Sequence, residues 1–338
     1  MPWRITFSHW RWANERIEPL LAEGRQAMNS RSHRNHIERV LILGHSGLIG
    51  RHLVRWFREH SPEVKVLGEA LPNIDLTRGE DADKLAPLLD AGTAVIMCAA
   101  IKRQLGDNLD TFSRNVAMAV NLGRVLETRT VARFVFFSSA AVYGEEIANL
   151  QITEETAVQP TSCYGAAKFA GECLFRKVVQ PPASLALLRP ALIYGPGDQG
   201  SYGPSGFIKA AVKGEPITLW GDGTELREFV FVEDVARLVH RLVFHEFDGV
   251  LNVVTGKSHT FEEAVEVVSR FVPLKHKVAS RARTRPKADH AFNADRLRQL
   301  FPDFSFAGLE EGIKRTVEFE MDSVQGKMSE PSSLTQRA

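Results

Sequence analysis

Cysteine is scarce in this chain, with only Cys98, Cys163 and Cys173 among 338 residues. An odd count without metal-ligand spacing excludes a disulfide framework and a cysteine-built metal site, and it fits a reducing, cytoplasmic setting. Cys98, in an apolar run, is read as packing. No apolar run reaches the roughly 18 residues a membrane-spanning helix requires, so no membrane partner is expected. An excess of one charge is also missing. The formal net charge is +1, which gives no electrostatic reason to expect nucleic acid or an acidic lipid surface. What remains is ordinary, at 44% hydrophobic and 25% charged residues. Such a chain can build one large or two modest globular domains.

The two ends differ from the middle. Residues 1–39 hold three of the five tryptophans and seven arginines. Glu15, Glu18 and Glu23 argue against a transit peptide, which is poor in acids. Residues 1–38 are therefore read as an extension, either an amphipathic helix or an arm, with Met28 a candidate downstream start. The histidines of "HRNH" (33–36) lack cysteine or carboxylate company and are read as solvated. Residues 323–338, with few apolar side chains, are read as a disordered tail.

From Val40 onward short apolar runs alternate with amphipathic ones. "RVLILG", "VKVL" (64–67), "AVIMCAA" (94–100), "RFVFFSS" (133–139) and "SLALLRP" (184–190) read as strands. "RHLVRWFREH", "DADKLAPLLDA", "DTFSRNVAMAVNLGRVLE" and "CYGAAKFAGECLFRKVV" read as helices between them. This rhythm predicts an α/β fold, a Rossmann-type doubly wound parallel sheet over residues 39–190. After about residue 190 the rhythm gives way to loops rich in glycine and proline. Residues 191–322 are read mostly as a smaller C-terminal substrate-binding lobe.

Two clusters carry chemistry. "GHSGLIG" places Gly44, Gly47 and Gly50, with Leu48 and Ile49 between them, at the turn from the first strand into the first helix. Glycines there permit a tight turn and let a pyrophosphate approach the helix N-terminus. Glu69, near the end of the second strand, can accept hydrogen bonds from an adenosine ribose and repel a 2′-phosphate. NAD is the expected cofactor, with NADP left open. Tyr164 and Lys168 are four residues apart and share one helical face, while Ser138 and Ser139 close an upstream apolar run. The bland reading of the pair alone is solvated helix decoration.

Taken together, the motifs resemble those of the extended short-chain dehydrogenase/reductase superfamily, in its NAD-dependent epimerase/dehydratase branch of the UDP-glucose 4-epimerase type. The marks are GxxGxxG at 44–50, "DLT" at 75–77, "CAA" at 98–100, "NVAMAVNL" at 115–122, "SSAAVYG" at 138–144, Tyr164-xxx-Lys168, "LRPALIYGPGD" at 188–198 and "WGDGTELREFVFVEDVA" at 220–236. They run in order from about residue 39 to about 320. The resemblance implies that Tyr164 is a general acid/base, that Lys168 lowers its pKa and holds the nicotinamide ribose, and that Ser139 bonds the reacting oxygen. It implies that Asn115 supports the lysine through water, and it adds Asp75, Leu76, Ala99 and Ala100 to the cofactor contacts. It also implies a nucleoside-diphosphate sugar as substrate, with Arg227 on the diphosphate. Homodimers through a four-helix face occur in the family, and no residue here decides that point.

Departures narrow the choice. Ala140 and Ala141 stand where sugar-nucleotide dehydratases carry an Asp-Glu pair, so dehydration is not expected. GDP-fucose synthase has a cysteine at the place of Ala141 and a histidine in the loop after YGP, and neither is present. Leu192 replaces an asparagine frequent in nucleotide-sugar enzymes. Arg227 has a bland alternative, a surface pair with Glu228 or Glu233. Lys102 and Arg103, just past the third strand of the main sheet, are placed to meet an anionic substrate. The leading expectation is an NAD(P)-dependent epimerase or reductase of a nucleotide-activated sugar. The alternatives are a reductase of a non-nucleotide ketone or alcohol, and a non-catalytic dinucleotide sensor.

Overall fold

A computed structural model of the chain describes residues 37–200 and 202–326. The N-terminal extension up to residue 36 and the tail from residue 327 lie outside the described residues. The first strand, β1 (Arg39–Leu43), leads into helix α1 (Leu48–His60), then β2 (Lys65–Glu69), the short α2 (Gly79–Asp83) and β3 (Thr93–Met97). Helix α3 (Leu109–Glu127), β4 (Arg133–Phe137), β5 (Asn149–Ile152), α4 (Cys163–Val178) and β6 (Ser184–Pro190) follow.

Every residue of β3 and β4 is buried, as expected for parallel strands covered on both faces. Helix α1 turns Leu53, Val54 and Phe57 inward and leaves Arg51, Arg55, Arg58 and Glu59 in solvent. On the opposite face, Met118, Leu122 and Val125 of α3 meet Phe175 of α4. The predicted helix over "DADKLAPLLDA" is broken instead. Helix α2 stops at Asp83 and a 3-10 turn covers Ala86–Leu88, because Pro87 has no N–H to continue a ladder.

The chain then builds β7 (Leu192–Tyr194), α5 (Gly203–Lys213), β8 (Thr218–Trp220), β9 (Leu226–Arg227) and β10 (Phe229–Phe231). Helix α6 (Val232–Phe244) and β11 (Gly249–Val253) return to the main sheet, where Val235, Leu238 and Val239 pack on the same face as α1. The parallel sheet therefore has six strands in the order β11-β6-β4-β3-β1-β2. Strand order reverses between β1 and β3, the point where such sheets open a crevice at their carboxyl ends.

The remaining elements are β12 (His259–Thr260), α7 (Phe261–Phe271), β13 (Ala279–Arg281), β14 (His290–Phe292), α8 (Asp295–Leu300) and α9 (Leu309–Val324). Helices α5, α7 and α9 close around Phe207, Ile208, Phe231, Val268 and Ile313. Ser323 and Val324, read from sequence as the start of a tail, complete α9. Among the described residues no helix is long and apolar enough to cross a membrane.

Candidate active site

The turn between β1 and α1 is shaped by its glycines. Gly44 has φ of +88°, a left-handed conformation that costs glycine little. A Cβ there would lie 2.7 Å from the Ala99 nitrogen. A side chain at Gly50 would collide with the Gly44 carbonyl, so its absence lets α1 sit on the turn. Gly47 is the N-cap, no side chain caps it, and the first turn of α1 holds no acid. The positive end of the helix therefore faces the turn unneutralised, which fits a diphosphate.

Leu48 and Ile49 form the start of this helix. The Gly44 N–H donates to the Glu69 carbonyl at 2.7 Å, and Ala99 N donates to the Leu43 carbonyl at 2.9 Å. The structure thus gathers Glu69 and Ala99 at the tip of β1, with half-buried Ala100 beside them. Asp75 and Leu76 are held more locally. The Asp75 carboxylate accepts from Thr77 N and Oγ1 at 2.9 and 2.7 Å. The Leu76 side chain is in the core, and its carbonyl accepts from Asn121.

Tyr164 and Lys168 project from the first two turns of α4, which Ser162 caps by accepting from Gly165 N at 3.0 Å. Tyr164 is half-buried, and Ser139, which follows β4, accepts from Ala141 N at 3.1 Å. The Tyr164 phenol is pushed up by burial and by the Glu145 carboxylate, and pulled down by Ser139. Lys168 is buried, its Nζ 5.7 Å from the Tyr164 ring centroid and donating to the Phe137 carbonyl at 2.6 Å. Burial lowers its pKa to about 8, against the opposing influence of Cys98 and Glu172. Cys98, pushed up to about 12 by burial, donates to the Leu43 carbonyl.

The Asn115 amide is engaged by the backbone after β3. Its Oδ1 accepts from Ile101 N at 2.9 Å and its Nδ2 donates to Ile101 O at 3.1 Å. Both ends of the amide clamp the backbone after β3, and no hydrogen bond joins it to Lys168.

The serine beside the candidate proton relay has a structural partner. Ser138 Oγ donates to Glu172, a fully buried carboxylate one turn beyond Lys168. Arg189 of β6 grips Glu172 with Nε to Oε1 at 2.8 Å and Nη2 to Oε2 at 2.6 Å. Its remaining Nη1 donates to Tyr143 Oη at 2.9 Å, and that hydroxyl donates to Asn252 of β11 at 2.8 Å. This chain of bonds fixes the back of α4 to two strands of the sheet. Sequence reasoning missed it, although Tyr164, Lys168 and Glu172 repeat at one helical turn.

Lobe-side residues are also already partnered. Arg227 pairs with Glu225, rather than with Glu228 or Glu233, and donates to the carbonyls of Leu226 and Ala288. Glu228 is buried and accepts from Thr255, while Glu233 pairs with Arg55 and Arg315. Lys102 approaches Asp198 at 3.7 Å, and Arg103 binds Glu145 at 2.6 Å and Asp107 at 3.4 Å. Neither is a lone cation awaiting an anionic substrate. The Tyr202 hydroxyl is pushed up by burial, with Arg227 and Arg103 opposing and Glu225 and Glu145 adding to the shift.

A family model described as the NAD dependent epimerase/dehydratase family matches residues 40–254, more than half of the chain. A putative UDP-glucose 4-epimerase of Methanocaldococcus jannaschii is 25% identical, over 82% of this chain and 97% of its own length. UDP-glucuronic acid decarboxylase 4 of Arabidopsis thaliana is 26% identical, over 88% of this chain and 72% of its own. Among solved structures, UDP-glucose 4-epimerase of Thermus thermophilus in complex with NAD superposes with a TM-score of 0.70 at 25% identity, covering 83% of this chain and 98% of that one.

Proposed function

Because the chain belongs to the NAD-dependent epimerase/dehydratase family, we propose that it epimerises or reduces a nucleotide-activated sugar, with Ser139, Tyr164 and Lys168 as its reacting group. The observation that carries the reading is Lys168 Nζ 5.7 Å from the Tyr164 ring centroid, one turn away on the same helix face, with Ser139 pulling the Tyr164 phenol down against burial. The turn at 44–50 and the end of β2 would hold the dinucleotide, which when bound supplies the hydride chemistry and a positive ring. Tyr164 exchanges a proton with the substrate hydroxyl or carbonyl oxygen, and Ser139 donates to that same oxygen. Lys168, still mostly protonated at pH 7, favours the phenolate by attraction. Ala140 and Ala141 offer no acid or base for water elimination, so dehydration stays outside the proposal.

A nucleoside diphosphate brings about two negative charges, which require cations if they are to leave water. Arg227 is assigned to them, with Glu225 as the carboxylate they displace. Leu192 and the existing Glu225 pair favour a second reading, reduction of an uncharged ketone. Steady-state kinetics on Arg227→Leu separate the two. The sugar-nucleotide reading expects KM to rise tenfold or more, about 1.4 kcal/mol, with free nucleoside diphosphate a competitive inhibitor and dinucleotide affinity unchanged. A silent substitution together with no inhibition points to the ketone reductase.

A further inference from the structure

The mouth of the cleft beside Tyr164 holds more carboxylates than cations. Arg103 Nη1 binds Glu145 at 2.6 Å, and its Nε faces Asp107 at 3.4 Å. Asp107 also accepts from Tyr164 N at 3.0 Å, so it caps α4. Lys102 lies 3.7 Å from Asp198, a buried carboxylate in the loop after β7. Two cations thus face three carboxylates, and the Arg103 fork is divided between two of them. Two aligned donors of an arginine are what a planar carboxylate ligand needs, and here they are spent.

Of the three, Glu145 is neither a cap of α4, as Asp107 is, nor buried, as Asp198 is. Helix α4 is already capped by Ser162 and Asp107, whereas Glu145 accepts from the Ser162 hydroxyl at 3.1 Å and from Arg103. Its bond to the Ser162 cap sets it at the start of the helix that carries Tyr164, and its charge adds to burial in pushing the hydroxyls of both Tyr164 and Tyr202 up. A carboxylate there can accept hydrogen bonds from sugar hydroxyls. A carboxylate on the sugar would meet it with like charge, and the neighbouring Arg103 is already paired.

We propose that the sugar end of the cleft is built for a neutral sugar and discriminates against a uronic acid, with Glu145 the residue that sets the discrimination. The inference rests on the nucleotide-sugar reading above. The site is partly solvated, with Arg103 and Glu145 side chains 24% and 33% exposed, so screening limits the effect to about one order of magnitude.

The test is calorimetric binding to the dinucleotide-loaded protein of two matched pairs, UDP-glucose with UDP-glucuronate and GDP-mannose with GDP-mannuronate. Free UDP and GDP serve as references. Within the pair whose nucleotide binds, the uronate is expected to bind about tenfold more weakly than the neutral sugar. Glu145→Gln, which keeps the size of the side chain, should shrink that gap to about threefold or less. Arg103→Gln should widen it, an opposite sign that a merely structural role does not produce. Equal binding of uronate and neutral sugar, or a gap unmoved by both substitutions, overturns the proposal. If free nucleotides bind and the neutral sugar adds nothing over them, Glu145 does not read sugar hydroxyls and the proposal also falls. If no nucleotide or sugar nucleotide binds at all, the failure lies in the nucleotide-sugar reading, and the inference falls with it.

Discussion

At the scale of single residues, Lys168 is held in a state that favours function over stability. Its folded pKa of about 8 lies below the ordinary 10.5 because the ammonium is buried. Below pH 8 the fold carries a charge it would rather lose. Between about 8 and 10.5 the unfolded chain binds more protons than the folded one, so this group's contribution to stability rises with pH. Lys168→Met should therefore be more stable than the parent at pH 7 in urea unfolding, while losing turnover and dinucleotide affinity. Tyr164→Phe should lose turnover alone, with dinucleotide affinity within about threefold. Near-parental turnover in Tyr164→Phe would end the proposed proton relay. The pairing of these two residues was legible from a spacing of four. The partner of Arg227 was not. Glu225 lies two residues back, on the same side of an extended strand, whereas the adjacent Glu228 points to the other side. Helical intuition about charge pairs overlooks that rule. Asn115 shows another limit, because its partner is the backbone of Ile101, and no side-chain pattern announces a loop's path.

At the scale of elements, "SLALLRP" at 184–190 was readable to its ends because β6 is apolar, short and closed by proline. The break at Pro87 was readable in principle from the missing donor. The attachment of α4 was hidden, since Glu172 and Arg189 look like ordinary surface charges until the fold buries both. Arg189 and Glu172 side chains are 4% and 0% exposed. Removing one partner strands a buried charge, so Arg189→Met is expected to cost about 3–5 kcal/mol in denaturant unfolding. The double variant Glu172→Leu with Arg189→Met should recover most of that loss. If the two single losses simply add, the pair is not the unit that holds α4 to β6.

At the scale of the whole molecule, the six-strand order and the crevice between β1 and β3 follow from the strand–helix rhythm, which the sequence displays openly as far as β6. The return of α6 and β11 to the sheet was not visible, because the glycine-rich loops before them mask the rhythm. Cofactor choice also belongs to this scale. Glu69 ends β2 at the turn, and Arg51, on the first turn of α1, donates to the Gly197 carbonyl at 2.8 Å. NAD is expected to bind at least tenfold more tightly than NADP by calorimetry, with Glu69→Ala narrowing the gap. Tighter NADP binding would mean that Glu69 faces away from the ribose. The Arg51 contact has a thermodynamic consequence. The helix proposed to face a diphosphate at its first turn also holds the loop into the second lobe, through Arg51 and through His52 Nε2 on the Pro196 carbonyl at 3.0 Å. Two ligands that lean on one element share a coupling free energy, and that coupling is reciprocal. Whatever factor a bound dinucleotide lends to sugar binding, the sugar must return to the dinucleotide, whichever of the two arrives first.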